Sequence, residues 1–216
     1  MTTALFVAAG ACALGDWFAV WRRLYRLEYV LKPLTLALLI AVAATADLYF
    51  LKGWVVAALV FGLLGDIGLM LSDDRKPGPD APFMLGLGSF LFGHVCYIAA
   101  FLRYGMDGPH VIAGLLMVAG VAVLTLPAVL AGAKRLGGNE LAAVVGVYTV
   151  LLAAMTVTSI GTGVLLTAVG GVLFLGSDTL IATERFVHPV PHGRVLVIAS
   201  YHVAQFLIVA GLIAAF

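Results

Sequence analysis

The sequence predicts an all-α protein, a polytopic membrane helix bundle of about eight transmembrane helices. Three observations predict it. The 216 residues are 63% hydrophobic and 11% charged, where a soluble domain has about 45–50% apolar and about 25% charged residues. Mean hydropathy is +1.13. Apolar stretches recur at the length of about 20 residues that a membrane-crossing helix needs, and short polar or Pro/Gly-rich connections separate them.

The spans read in order as 3–21, 31–48, 53–71, 82–102, 109–131, 140–158, 160–182 and 194–215. No Lys or Arg precedes Arg22, so the first span lacks the basic start of a secretory leader and is expected to be a retained helix. Lys32-Pro33 opens the second span. The longest polar connection runs from Ser72 to Pro82 and holds Asp73, Asp74, Arg75 and Lys76. No linker is long enough to separate domains, so residues 1–216 read as a single transmembrane domain. Cys12 and Cys96 fall inside apolar spans and predict no disulfide framework. A net charge of +1 argues against a nucleic-acid partner.

Basic residues orient the bundle. Odd-numbered connections hold ten of them and even-numbered connections hold two, Lys52 and Arg103. Cytoplasmic loops carry the excess of Lys and Arg. Both termini are therefore expected on the non-cytoplasmic side of a membrane of the bacterial inner-membrane type. A parallel 4+4 repeat is a further expectation. Span three ends in Leu64-Gly65-Asp66 and span four carries His94; span seven ends in Gly176-Ser177-Asp178 and span eight carries His202.

Ionisable groups within a span cost about 2.5–3.5 kcal/mol each on insertion scales, so each one marks a candidate site. Asp16, Asp66 and Asp178 each lie six residues inside the cytoplasmic end of their span, roughly 9 Å deep. Tyr148, Tyr201, His202 and Gln205 lie in the same half, and His94 and Tyr97 near mid-membrane. His94 and Tyr97 are i,i+3, and Tyr201 and Gln205 are i,i+4, so each pair shares a helix face. The outer halves of these helices are almost wholly apolar. One polar cavity, open to the cytoplasm and closed outside, satisfies this pattern.

A buried carboxyl tends to keep its proton near neutral pH, and a second carboxylate beside it separates the two titrations. One can then serve as general acid and the other as base or charge stabiliser. Glycosidases handle an oxocarbenium-like transition state in this way. Asp66 and Asp178 are the pair expected to function together, in such acid–base catalysis or equally in carrying protons or a small solute. No His-Glu-x-x-His, Gly-x-Ser-x-Gly or Cys/His metal-spaced cluster occurs, so neither a metal nor a cofactor is expected. The alternative reading is a membrane transporter or proton-coupled permease using the same cavity. Alternating access needs polar groups that reach both faces, which the apolar outer halves do not supply.

Five motifs in order carry a resemblance. They are Lys32-Pro33-Leu34, Gly65-Asp66, Gly93-His94 followed by Tyr97, Gly176-Ser177-Asp178, and Tyr201 followed by Ala204-Gln205. From about Lys32 to the C-terminus the chain resembles the YhhN-like family of membrane lysoplasmalogenases. The resemblance implies an eight-helix enzyme that hydrolyses the sn-1 vinyl ether of a lysophospholipid, lysoplasmalogen, to a fatty aldehyde and a glycerophospho head group. On that reading Asp66 and Asp178 are the acid and stabilising pair. His94, Tyr97, Tyr148, Tyr201, His202, Gln205 and Asp16 support them. Lys32, Arg22, Arg26 and Arg194 hold the substrate phosphate.

Overall fold

The computed structural model describes residues 1–72 and 80–216. Arg75 and Lys76, counted above for orientation, lie outside the described residues. The described chain is all-helical, with α1 (Thr2–Trp21), α2 (Tyr25–Thr45), α3 (Lys52–Leu71), α4 (Ala81–Tyr104), α5 (Gly108–Gly161), α6 (Leu165–Phe186) and α7 (Gly193–Ala214). All seven are long and apolar enough to cross a membrane. The chain is an integral, multi-pass membrane protein.

At 54 residues α5 would be about 80 Å long if straight, against a hydrocarbon core of about 30 Å. It is broken at Gly137 and Gly138, whose backbone angles are not helical. The two arms, 108–136 and 139–161, fold back on each other. The Asp107 N–H donates to the Gly161 carbonyl at 2.7 Å, and Gly114 lies against the Val157 backbone. Gly138 has φ +68° and ψ −163°, a region essentially reserved for glycine and costing other residues about 1–3 kcal/mol. Gly138→Ala is therefore expected to destabilise the bundle by about that amount, read as a lower thermal midpoint of the detergent-solubilised protein.

Helix starts follow the local sequence. Asp80 caps α4 by accepting from the Phe83 N–H at 3.0 Å, with Pro82 in the first turn. Asp107 caps α5 in the same way, accepting from the His110 N–H at 3.4 Å. The His110 side chain also bonds this carboxylate and holds its pKa below the usual value. Small residues permit close helix crossings: Gly68 of α3 and Gly86 of α4 meet backbone to backbone, and a methyl on Gly68 would sit 2.7 Å from Gly86.

Three spans differ from the sequence expectation, the fifth in running on to residue 136 rather than ending at 131. The second starts at Tyr25 rather than residue 31. Arg26 and Glu28 are thus helical rather than in a polar connection, and Glu28 is neutralised there by Arg194. The seventh runs over Leu165–Phe186 rather than 160–182, since Thr162 and Gly163, at φ +69°, turn the chain within an apolar run.

Along the chain α3 packs on α4, α5 on α6, α6 on α7 and α1 on α2, and α1 and α2 also touch α7. One end of the bundle gathers Tyr49, Phe50, Tyr104 and Phe216 in edge and tilted ring contacts, an aromatic layer of the kind found at a membrane interface. The opposite end holds the Arg194–Glu28 ion pair at 2.9 Å and the Tyr29 hydroxyl on the Met70 carbonyl at 2.8 Å. Between them lies a core that includes Leu36, Leu39, Leu59, Phe101, Met155, Ile208 and Leu212, all buried. Burying such side chains removes no water inside a bilayer; packing and interhelical hydrogen bonds hold the helices together.

Candidate active site

Six helices, α2 to α7, each place polar side chains on a face turned to the bundle interior. On α2, Glu28, Lys32, Thr35, Leu36 and Leu39 form one buried stripe at helical spacing. Lys32 reaches across to α3 and pairs with the Asp66 carboxylate at 3.0 Å, both nearly sealed from solvent. Asp66 also interacts with the Tyr201 hydroxyl of α7. Gln205, one turn further along α7, donates to Tyr201 at 3.2 Å, and its carbonyl accepts from the Tyr97 hydroxyl of α4.

The second carboxylate sits beside this group. Asp178 of α6 accepts from the Tyr148 hydroxyl on the second arm of α5. His94 of α4 brings Nε2 to 3.8 Å from the same Asp178 oxygen. The His94 ring is clamped edge-on by Tyr148 and Phe174, each 5.2 Å away centroid to centroid, and Phe174 in turn meets Tyr201 at 5.4 Å. Asp66 and Asp178 lie close enough to repel each other. Lys32, Asp66, His94, Tyr97, Tyr148, Asp178, Tyr201 and Gln205 thus form one cluster.

Asp16 and His202 border it from the α1 side. Asp16 is fully buried, with neither carboxylate oxygen hydrogen-bonded; Lys32, Glu28, Asp66 and Arg194 are the charges around it. His202 accepts at Nδ1 from the Trp17 indole at 3.1 Å, which ties α1 to α7.

Two cavities flank the cluster. One is an apolar cleft between α4, the two arms of α5 and α6, lined by residues such as Leu87, Val118, Ala122, Leu126 and Leu152. Asp178 and Tyr148 open onto it, and Asp178 is its one ionised-type side chain among the described residues. The other is a charged vestibule lined by Glu28, Lys32, Glu184, Arg185 and Arg194, with Tyr25 and Tyr29. Leu69, Phe83 and Ile181 line both, so cleft and vestibule meet at those residues.

Of the expected phosphate-binding residues, Lys32 and Arg194 line the vestibule. Arg22 and Arg26 are exposed and do not; Arg22 stacks over Trp21 with its guanidinium 5.8 Å from the ring. Lys32 is also no free rim cation, because its ammonium is held by Asp66. Sequence reasoning passed over Glu28, Arg185 and Trp17. Glu28 had a signal, standing one helical turn before Lys32 on the same face. Arg185 lay beyond the expected end of its span. No group of three or more His, Cys, Asp or Glu side chains that could hold a metal occurs among the described residues.

Fold and site together define a multi-pass membrane protein with an intramembrane carboxyl cluster set between an apolar cleft and a charged mouth. The chain belongs to the YhhN family, whose family model matches residues 27–212. It is similar to a lysoplasmalogenase of Mycobacterium bovis, 32% identical over 180 residues that cover 82% of this chain and 67% of the relative. It is also similar to lysoplasmalogenase TMEM86A of Bos taurus, 32% identical over 167 residues, and of Homo sapiens, 31% identical over 163. These two matches cover 69% of this chain and 61% of each relative, so the chain spans less than two thirds of their length. No solved structure matches the chain significantly.

Proposed function

We propose that this chain is a lysoplasmalogenase, a hydrolase cleaving the sn-1 vinyl ether of a lysoplasmalogen to a fatty aldehyde and a glycerophospho head group. The observation that carries the reading is that Asp178 lines an apolar cleft which meets a charged vestibule at Leu69, Phe83 and Ile181. A single-chain lipid fits that layout. Its alkenyl chain occupies the cleft, its sn-1 linkage stands at carboxyl depth, and its phosphate rests near Arg185 and Arg194. The family membership and the names of the curated relatives point to the same reaction.

The chemistry follows from the polarity of a vinyl ether. Asp178, the carboxyl that lines the cleft, donates its proton to the carbon β to the ether oxygen. The alkene electron pair forms the new C–H bond and leaves an oxocarbenium ion. The Asp66 carboxylate, held by Lys32, stabilises that positive charge. Water adds to the cationic carbon and gives a proton back to Asp178. The hemiacetal then breaks its C–O bond to the glycerol, the hydroxyl proton passing to the departing oxygen, and the aldehyde is released. Proton transfer from a positioned group contributes about 10²–10⁴-fold to such a step. The Tyr148 hydroxyl holds Asp178 and His94 stands against it, while Tyr201, Gln205 and Tyr97 order the Asp66 side.

Counting basic residues sets the charged vestibule on the cytoplasmic side, with eight crossings and both termini outside. The two arms of α5 each count as a crossing in that arrangement. The direct test incubates the purified protein with lysoplasmalogen and with the saturated alkyl ether analogue. Aldehyde from the first and none from the second supports the reading; absence of aldehyde from both, with solute uptake into proteoliposomes, supports the permease instead. Narrowing the cleft gives a second test. Ala122→Trp is expected to raise KM for long alkenyl chains severalfold more than for short ones, checked by kinetics across a chain-length series.

A further inference from the structure

The cluster is built from two sets of four helices, and the sets differ in the residue that the second helix brings to the carboxylate. Taken in order, α1, α2, α3 and α4 make one set of four helices. The first arm of α5, its second arm, α6 and α7 make another. In the first set the second helix brings Lys32 to the carboxylate of the third, Asp66, at 3.0 Å. In the second set the second helix brings Tyr148 to the carboxylate of the third, Asp178.

The fourth helices cross over. His94 of the first set reaches Asp178 of the second at 3.8 Å. Tyr201 of the second set faces Asp66 of the first. Tyr97 and Gln205 join the two fourth helices. Each carboxylate therefore meets a residue from the second helix of its own half and one from the fourth helix of the other.

Equivalent sites with unlike partners acquire unlike charge. An ammonium at 3.0 Å offers Asp66 a positive charge that compensates its own. A phenol hydroxyl donates a hydrogen bond to Asp178 but no positive charge, and Asp178 faces an apolar cleft. The groups around Asp66 are Lys32, Asp16, Tyr201 and, across the cluster, Asp178. Those around Asp178 are Tyr148, His94, Tyr201 and Asp66.

We propose that Lys32 and Tyr148 are paired positioning residues of a duplicated site: Lys32 supplies the positive charge that makes Asp66 the anion, and Tyr148 orients the Asp178 carboxyl without supplying one, so that the apolar cleft leaves the transferable proton on Asp178. The roles in catalysis rest on the hydrolase reading above; the charge division does not. The exchange of lysine for tyrosine at the second helix is the difference that gives one carboxyl a counter-charge and the other none.

Infrared spectroscopy of the full chain in lipid nanodiscs near neutral pH reads the division without turnover, through the C=O stretch of protonated carboxyls. Asp178→Asn is expected to remove one such band from the wild-type spectrum. Asp66→Asn is expected to leave that band in place, and Asp16→Asn identifies any contribution from Asp16. Tyr148→Phe is expected to move the Asp178 band to higher frequency as its hydrogen bond is lost. Lys32→Met is expected to add a band that Lys32→Met/Asp66→Asn lacks. Should Lys32→Met fail to fold, Lys32→Arg serves: it keeps the wild-type bands. A spectrum unchanged by Asp178→Asn, or a band lost on Asp66→Asn, overturns the proposal. These bands are independent of aldehyde release, so a failed hydrolysis assay with the expected bands refutes the enzyme reading alone.

Discussion

Asp178→Asn is expected to lower kcat for lysoplasmalogen hydrolysis by about 10²–10⁴-fold, the usual contribution of a positioned proton donor. Asparagine keeps the size of the side chain and still accepts from Tyr148, so the cluster stays packed. It has no carboxyl proton to give to the vinyl carbon. KM is expected to change little, because the cleft and the vestibule cations are untouched. Steady-state kinetics with aldehyde detection separates the two parameters. A variant with near wild-type kcat would remove Asp178 from the proton-transfer step. Tyr148→Phe is expected to have a smaller effect, since it leaves the carboxyl and removes only the hydroxyl that orients it.

Lys32→Met is expected to destabilise the folded bundle by about 3–5 kcal/mol, the cost of leaving one member of a buried ion pair without its partner. The pair is sealed on both sides, Lys32 at 9% and Asp66 at 2% side-chain exposure, so water does not replace the lost ammonium. Asp16, already without a hydrogen-bond partner beside Lys32, loses its nearest compensating charge in the same substitution. The double variant Lys32→Met/Asp66→Asn removes both charges and is expected to recover most of the stability, because a buried pair exchanged as a whole for neutral groups is often close to neutral. It is not expected to recover hydrolysis, since the anion opposite the oxocarbenium is gone. Thermal midpoints in detergent and activity of the same samples check both halves. Recovery of activity in the double variant would contradict the role of Asp66.

The carboxyl cluster was legible in the sequence because ionisable side chains stand out against apolar spans. Asp66, Asp178, His94, Tyr97, Tyr148, Tyr201 and Gln205 could be gathered by depth alone, and the folded chain brings them into contact. Depth says nothing about partners. Lys32 looked like a basic residue at a helix mouth because it follows Arg22, Arg23 and Arg26. Its ammonium is instead turned inward to Asp66, a contact that depends on how α2 and α3 cross. Arg185 was passed over because the turn at Thr162 and Gly163 is hidden in an apolar run, which shifted the expected end of that helix. Trp17 carried no signal: an aromatic residue in an apolar helix reads as lipid-facing, and its bond to His202 exists only because α1 packs on α7. The reversal at Gly137 and Gly138 had the opposite character, since two adjacent glycines followed by Asn139 and Glu140 mark a break in any helical run.

The central claim is that hydrolysis begins with proton delivery to the β-carbon of the vinyl ether. Turnover of lysoplasmalogen in D₂O, with the aldehyde trapped as it forms and analysed by mass spectrometry, measures that step. One deuterium on the carbon next to the aldehyde carbonyl in each product molecule, with slower turnover than in H₂O, is the predicted result. Aldehyde without deuterium at that carbon would contradict it.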